Sequence, residues 1–96
     1  MFTAELLKGK RALITGGGTG LGRAMAKRYL ELGATVYICG RREDVLQATC
    51  RELAAETNGT ISGIPCDVRD LAAVESLIDT IWNDGPLDIL VNNAAG

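Results

Sequence analysis

The segment TGGGTGLG, residues 15–22, places five glycines in eight positions. A short apolar run, RALIT at residues 11–15, comes directly before it, and apolar residues recur every three or four positions from residue 20 to residue 32. These patterns predict a buried strand, a glycine loop and a helix that ends before Gly33. Because the free N–H groups at a helix N-terminus attract anions, the loop is predicted to bind a phosphate group.

Strand and helix patterns alternate through the rest of the chain. Further strands are predicted at residues 35–39, 61–68 and 87–91, with helices at residues 42–57 and 71–84. The order βαβαβαβ predicts an α/β fold, namely the first half of a Rossmann-type doubly wound parallel sheet. We expect the strand order 3-2-1-4, with helices on both faces of the sheet.

Apolar spacing also predicts which side of each helix faces the sheet. In the first helix the predicted inward residues are Leu21, Ala24, Met25, Tyr29 and Leu32. In the second helix they are Leu46, Cys50, Leu53 and Ala54. In the third helix, which Asp70 is placed to cap, they are Leu71, Val74, Leu77, Ile78, Ile81 and Trp82.

Composition sets limits on the class of protein. The chain has 96 residues, of which 47% are hydrophobic and 23% charged, as expected for one small globular domain. It contains neither a long apolar run nor a signal-peptide pattern, which predicts a soluble, cytoplasmic protein with no membrane partner. Three widely spaced cysteines and no histidine argue against a disulfide framework and a zinc site, and predict buried, reduced thiols.

The charges are distributed unevenly along the chain. Residues 1–42 contain eight lysines or arginines and two acidic residues, whereas residues 43–96 contain two arginines and ten acidic residues. The positive charge therefore accompanies the glycine loop, as an anionic ligand would require. A nucleotide is the predicted ligand, and no feature indicates a nucleic-acid partner.

The glycine spacing distinguishes between kinds of phosphate loop. A P-loop aligned on Gly17 and Gly22 would continue with lysine, but Arg23 and Ala24 follow. The GxGxxG turn fails as well, because a third glycine counted from Gly18 and Gly20 would fall on Arg23. The remaining pattern is Thr-Gly-x-x-x-Gly-x-Gly.

This pattern resembles the short-chain dehydrogenase/reductase family, together with Cys66-Asp67-Val68 after the third strand and NNAAG at residues 92–96. The resemblance implies that the loop cradles a cofactor pyrophosphate, that Asp67 and Val68 contact the adenine, and that Asn92 ties the central strands together. It also places a segment after the fourth strand beside the cofactor. The implied cofactor-binding residues of the loop and of that segment are Gly16, Gly17, Gly18, Thr19, Gly20, Leu21, Gly22, Asn93, Ala94 and Ala95.

The end of the second strand predicts which dinucleotide is bound. An NAD site places an acidic side chain there to bond the ribose 2′-hydroxyl, whereas a 2′-phosphate is repelled by an acid and prefers arginine. This chain has Gly40, Arg41 and Arg42 at that place. We therefore expect NADP(H), with Arg41 as the bidentate phosphate contact and Arg42 either stacked on the adenine or beginning the helix.

The resemblance implies hydride transfer between NADPH and a small-molecule carbonyl or enoyl substrate. The strings DVL at residues 44–46, CDVRD at 66–70 and NNAAG at 92–96 are most similar to the 2,4-dienoyl-CoA reductase branch, which would make the substrate an acyl-CoA thioester. Family members are commonly homo-oligomers, and we expect the same of the complete protein.

The family's catalytic Tyr-x-x-x-Lys pair is not found in this chain. The residue four positions after Tyr29 is Gly33, and the residue four positions after Tyr37 is Arg41, so neither tyrosine has the required lysine. We therefore expect residues 1–96 to be the NADP-binding amino-terminal part of a single domain, inactive alone and without catalytic residues of its own. A non-catalytic dinucleotide-binding or regulatory module is the alternative. An S-adenosylmethionine-dependent transferase is disfavoured, since the first strand leads into Thr15 and Gly16 without an acidic residue.

Overall fold

The computed structural model describes residues 6–93. Its elements, in chain order, are β1 (Arg11–Thr15), α1 (Gly20–Glu31), β2 (Thr35–Gly40), α2 (Glu43–Thr57), β3 (Ile61–Pro65), α3 (Leu71–Asp84) and β4 (Ile89–Asn92). The predicted βαβαβαβ order is confirmed. None of the three helices in this range has the length and apolar character that a membrane span requires.

The four strands form one parallel sheet in the order β3-β2-β1-β4, as predicted. In its register Thr15, the last residue of β1, lies beside Cys39 of β2 and Asn92 of β4. The strand ends are therefore level, and the loops that follow them meet at one edge of the sheet. In open parallel sheets this carboxyl edge is where ligands bind.

One strand is shorter than predicted. β3 ends at Pro65 and does not continue to Val68. The Cys66 N–H still donates to Gly40 O at 2.7 Å, but the chain then turns, and the Asp70 N–H donates to Asp67 O at 2.9 Å. This turn places Asp70 at the N-cap of α3, where its side chain accepts from the Ala73 N–H at 3.3 Å, as predicted.

Helices cover both faces of the sheet. Residues of α1 and α2 pack with β1 and β2 in a first core cluster, whose buried members are Ile14, Ala26, Leu30, Ala34, Val36, Ile38, Leu46, Cys50 and Leu53. A second core cluster joins α3 to the opposite face, and its buried members are Leu13, Tyr37, Cys39, Cys66, Leu77 and Ile81. All three cysteines are buried and free, as the sequence predicts.

The predicted inward face of α1 is right for Met25 and Tyr29, which pack against the first core cluster, and wrong for Leu21 and Ala24, which are exposed. Its buried residues are Gly22, Ala26 and Leu30, whereas the side chain of Leu21 is 67% exposed. Spacing of large apolar residues gives little signal at Gly22 and Ala26, which are two of the three buried positions of this helix. Two of the residues assigned to the apolar stripe of α3 also lie outside the core, with Leu71 71% and Trp82 53% exposed. The line formed by Leu77 and Ile81 is the fully buried part of that stripe.

Candidate functional site

A cleft of about 410 Å³ lies at the carboxyl edge of the sheet, between the loop after β1 and the loop after β2. The first turn of α2 closes one side of it. The lining residues are Gly16, Gly18, Thr19, Cys39, Gly40, Arg41, Arg42, Val45 and Leu46. The glycine loop and the two arginines, which lie 19 or more residues apart in the sequence, are thus brought to one site.

The N-terminus of α1 opens at this cleft. Thr19 is its N-cap residue, but the Thr19 side chain makes no cap hydrogen bond, and the first turn contains no acidic residue. Uncapped N–H groups at a helix N-terminus carry partial positive charge and bind phosphate groups. Asp70 caps α3, whereas the N-cap residue of α2, Arg42, makes no side-chain cap hydrogen bond either.

Two glycines allow the loop to pack closely. A Cβ atom at Gly22 would collide with the Gly16 carbonyl oxygen and lie 2.7 Å from Asn93 Nδ2. A Cβ atom at Gly17 would collide with the side chain of Ile38 on β2. Neither position therefore accepts a side chain without displacing its surroundings. Gly17 is buried against the sheet and does not line the cleft, whereas Gly20 is exposed at the start of α1.

Side chains from distant elements hold the loop from both sides. Asn93 Nδ2 donates to Gly16 O at 3.4 Å, and the Asn93 backbone N–H donates to Thr15 Oγ1 at 2.9 Å. On the other side, Thr49 Oγ1 of α2 donates to Gly18 O at 2.8 Å. The Gly16 N–H donates to Cys39 O at 2.8 Å, which ties the loop to the end of β2.

The cleft has a positive lining. Arg41 and Arg42 are exposed, and no acidic residue is among the side chains that line it within residues 6–93. Arg42 is the N-cap residue of α2, so it begins that helix, as one of the two predicted alternatives states. A phosphate in this cleft would meet guanidinium groups rather than a carboxylate, which is the arrangement that accepts a ribose 2′-phosphate.

Asp67 lies in the loop after β3, with Arg69 as its ion-pair partner. Arg69 Nη2 donates to Asp67 Oδ2 at 3.0 Å, while its Nε and backbone N–H donate to Oδ1 at 3.1 and 3.0 Å. These hydrogen bonds from Arg69, aided by the positive charge of Arg41, lower the pKa of Asp67 from 3.8 to about 2. The carboxylate is therefore ionised at neutral pH and available as a hydrogen-bond acceptor.

The other predicted site residues lie in different places. Val68 lines a second cavity of about 130 Å³, next to residues of α3 and to Leu90 and Asn92 of β4. Leu21 projects into solvent at the start of α1. Ala94 and Ala95 lie outside the described residues. The cofactor contacts of all these residues, and those of the loop, remain predictions.

Sequence reasoning missed four residues of the site. Cys39, Val45 and Leu46 line the cleft, and Thr49 holds the loop beneath it. Thr49 carried a detectable signal, since it is a polar residue beside Leu46, Cys50 and Leu53 on the inward face of α2. Burial raises the pKa of the Cys39 thiol to about 11, so the thiol stays protonated at neutral pH and is a wall of the cleft, not a nucleophile.

Tyr37 lies away from the cleft. Its hydroxyl donates to Asp84 Oδ2 at 3.3 Å, at the end of α3, and burial followed by the charge of Asp84 raises its pKa. Tyr37 thus joins α3 to the sheet, in agreement with its exclusion as a catalytic tyrosine.

A parallel sheet in the order 3-2-1-4, with a glycine loop and a positive cleft at its carboxyl edge, defines a Rossmann-type nucleotide-binding protein. The sequence matches the short chain dehydrogenase family over residues 10–96. The chain belongs to this family of oxidoreductases.

Individual relatives agree with the family. An uncharacterized oxidoreductase of Caenorhabditis elegans is 47% identical over 92 residues, which cover 94% of this chain and 29% of the relative. A probable 2,4-dienoyl-CoA reductase of the same organism is 45% identical over 93 residues, covering 94% of this chain and 30% of the relative. The chain therefore spans about 30% of the length of these curated relatives.

Solved structures show the same fold with a nucleotide. An actinorhodin polyketide ketoreductase with NADPH superposes with a TM-score of 0.85 at 38% identity, over 91% of this chain and 33% of that one. The L-sorbose reductase of Gluconobacter frateurii, complexed with NADPH and L-sorbose, gives a TM-score of 0.89 at 29% identity, over 99% of this chain and 36% of that one.

Proposed function

We propose that this chain is the NADP(H)-binding amino-terminal part of a short-chain dehydrogenase/reductase domain. The observation that carries the proposal is the cleft in which the glycine loop faces Arg41 and Arg42 with no acidic residue in the described lining. The NADPH complexes of two structural relatives support the same cofactor.

The proposed binding mode follows the sheet edge. The loop residues Gly16 to Gly22 and the N-terminus of α1 receive the pyrophosphate, and Arg41 binds the 2′-phosphate with Arg42 beside it. The adenine would lie towards Asp67 and Val68, and Asn93, Ala94 and Ala95 are the proposed cofactor contacts after the fourth strand. Asn92 has a structural role in this binding mode, because its side chain accepts a hydrogen bond from Thr15 and so joins the central strands β4 and β1.

For the whole protein we propose hydride transfer between NADPH and a carbonyl or enoyl substrate. The relative named as a probable 2,4-dienoyl-CoA reductase supports a conjugated acyl-CoA thioester as the candidate substrate, while the two reductases with NADPH support a carbonyl compound. The reacting residues would lie outside residues 1–96, and the complete protein would be a homo-oligomer. The competing function is a dinucleotide-binding regulatory module without turnover.

Titration of the intact protein with NADPH and NADH tests the cofactor. We expect tighter binding of NADPH, and we expect Arg41→Ala to weaken it on the order of tenfold to a hundredfold, because a charge-assisted hydrogen bond contributes about 1.5–3 kcal/mol. Binding of NADH should change by less than about threefold, since NADH lacks the phosphate that Arg41 would contact.

Arg28→Ala is the matched control. Arg28 is an exposed arginine of α1 that pairs with Glu31 near the other end of that helix, so both affinities should stay the same. Equal affinity for NADPH and NADH in the unmodified protein would contradict the assignment of NADP(H). NADPH oxidation is then assayed with an aldehyde, a ketone and a 2,4-dienoyl thioester. A reductase oxidises NADPH with at least one of these substrates, whereas a regulatory module binds NADPH but shows no oxidation with any of them.

A further inference from the structure

The buried hydroxyl of Thr49 has an unusual partner. Threonine hydroxyls inside helices commonly bond to the carbonyl four residues earlier, and Thr57 of the same helix does so, donating to Leu53 O at 2.7 Å. Thr49, which is 4% exposed, instead donates to Gly18 O at 2.8 Å, 31 residues away. The Thr49 side chain of α2 therefore fixes the position of a carbonyl group in the glycine loop.

The bond to Gly18 controls a neighbouring amide. A peptide unit is planar and trans, so the Gly18 carbonyl and the Thr19 N–H point in opposite directions and turn together. Thr19 is the N-cap residue of α1 and lines the cleft. Holding Gly18 O against α2 therefore sets the direction of the Thr19 N–H at the entrance to the helix.

The same bond also affects the charge that an incoming anion meets. A carbonyl oxygen is the negative end of a peptide dipole and repels phosphate, whereas the N–H end attracts it. Gly16 O is engaged by Asn93 Nδ2, and Gly18 O is engaged by Thr49 Oγ1. Two carbonyls of the loop are thus held by donors of the protein before any ligand arrives.

We propose that Thr49 is a positioning residue for the nucleotide phosphates, an inference that rests on the proposed binding of NADP(H). Its hydrogen bond to Gly18 keeps the loop in the conformation that binds phosphate, so the binding of the cofactor does not have to order the loop. Thr49 itself touches no part of the cofactor.

Three variants of the intact protein test this role. Thr49→Val keeps the shape of the side chain but removes the hydroxyl, and we expect it to weaken NADPH binding about fivefold to tenfold. Thr49→Ser restores the donor and should bind NADPH within about twofold of the unmodified protein. Thr57→Val removes a comparable hydroxyl two turns further along α2 and should leave NADPH affinity unchanged. The unfolding midpoint of each of the three variants is measured to separate a loss of affinity from a loss of stability.

Amide hydrogen exchange in the cofactor-free protein supplies a readout that is independent of the ligand. Thr49→Val should speed exchange about tenfold at Gly16 and Arg23, whose N–H groups donate to Cys39 O and Thr19 O at the two ends of the loop, while Thr57→Val should not. If Thr49→Val does not fold, Thr49→Ala takes its place in both measurements. Unchanged affinity and exchange in the Thr49 variant, or equal effects from the Thr57 variant, would overturn the proposal. If the unmodified protein binds no NADP(H), the proposed function fails, and the exchange rates alone decide whether Thr49 orders the loop.

Discussion

Thr15 and Asn92 lie directly opposite each other at the ends of β1 and β4, with Thr15 Oγ1 3.1 Å from Asn92 Oδ1. The same hydroxyl accepts the backbone N–H of Asn93 at 2.9 Å. Because Gly16 follows Thr15 directly, this one buried hydroxyl sets the end of β4 against the start of the glycine loop. The site therefore depends on a strand pair 77 residues apart in sequence.

Thr15→Val should destabilise the protein by roughly 1–2 kcal/mol. Valine keeps the β-branched shape that suits a strand but leaves the Asn93 N–H without its acceptor. Urea unfolding measures the change, and Thr15→Ser, which retains the hydroxyl, should recover most of the lost stability. A valine variant as stable as the unmodified protein would show that this hydroxyl does not hold the two strand ends together.

Gly22→Ala should cost about 1–3 kcal/mol of unfolding free energy, because the added Cβ atom meets Gly16 O and Asn93 Nδ2. Gly40→Ala is the matched control for stability, since its Cβ atom would lie 3.7 Å from the Leu46 side chain, an ordinary contact. Its unfolding free energy should change by less than about 1 kcal/mol. Equal losses in the two variants would contradict the close packing of α1 on the loop.

The orientation of α1 predicts opposite results for two alanines on one helix. Ala26→Gln inserts a large polar side chain into the first core cluster and should destabilise the protein by more than about 3 kcal/mol. Ala24→Gln, at an exposed position one half-turn earlier, should change stability by no more than about 0.5 kcal/mol. Thermal unfolding of both variants measures the two changes in stability. A larger loss for Ala24→Gln than for Ala26→Gln would show that Ala24, as apolar spacing predicts, faces the core.

The Asp67 carboxylate should titrate unusually low. Its pKa in the folded protein is about 2, against an ordinary 3.8, so its ion pair contributes stability above about pH 4 that is lost as the pH falls through 2. Arg69→Gln should raise the Asp67 pKa towards its ordinary value, because the bonds from Arg69 are the largest cause of the shift. Carboxyl ¹³C chemical shifts followed between pH 1.5 and 6 measure both values. An unchanged pKa in the variant would show that the side chain of Arg69 does not cause the shift.

Much of the fold could be predicted from local patterns. Strands and helices alternate with distinct apolar periods, and glycines and Asp70 mark the helix ends. This alternation indicated the doubly wound nucleotide-binding fold, whose strand order 3-2-1-4 the sheet has. The glycine spacing and the paired arginines likewise predicted a nucleotide cleft, and the structure brings Gly16, Gly18, Thr19, Arg41 and Arg42 to a single cleft.

For the helices, the predictions that failed depended on which side of the helix faces its neighbour. α1 packs on the glycine loop at Gly22 and in the first core cluster at Ala26, and the small size of both residues leaves little apolar signal. The apolar stripe predicted for α3 is too wide for the opposite reason, since Trp82 is large and apolar and yet 53% exposed.

The sequence by itself determined the kind of protein and the place of its loop, because strand periodicity, helix caps and glycine spacing are local properties of the chain. The contacts that hold the loop, from Thr49 on one side and from Thr15 and Asn93 on the other, could be found only in the folded protein. Those hydrogen bonds join residues 31 to 78 positions apart, and their geometry exists only once the helices have packed on the sheet.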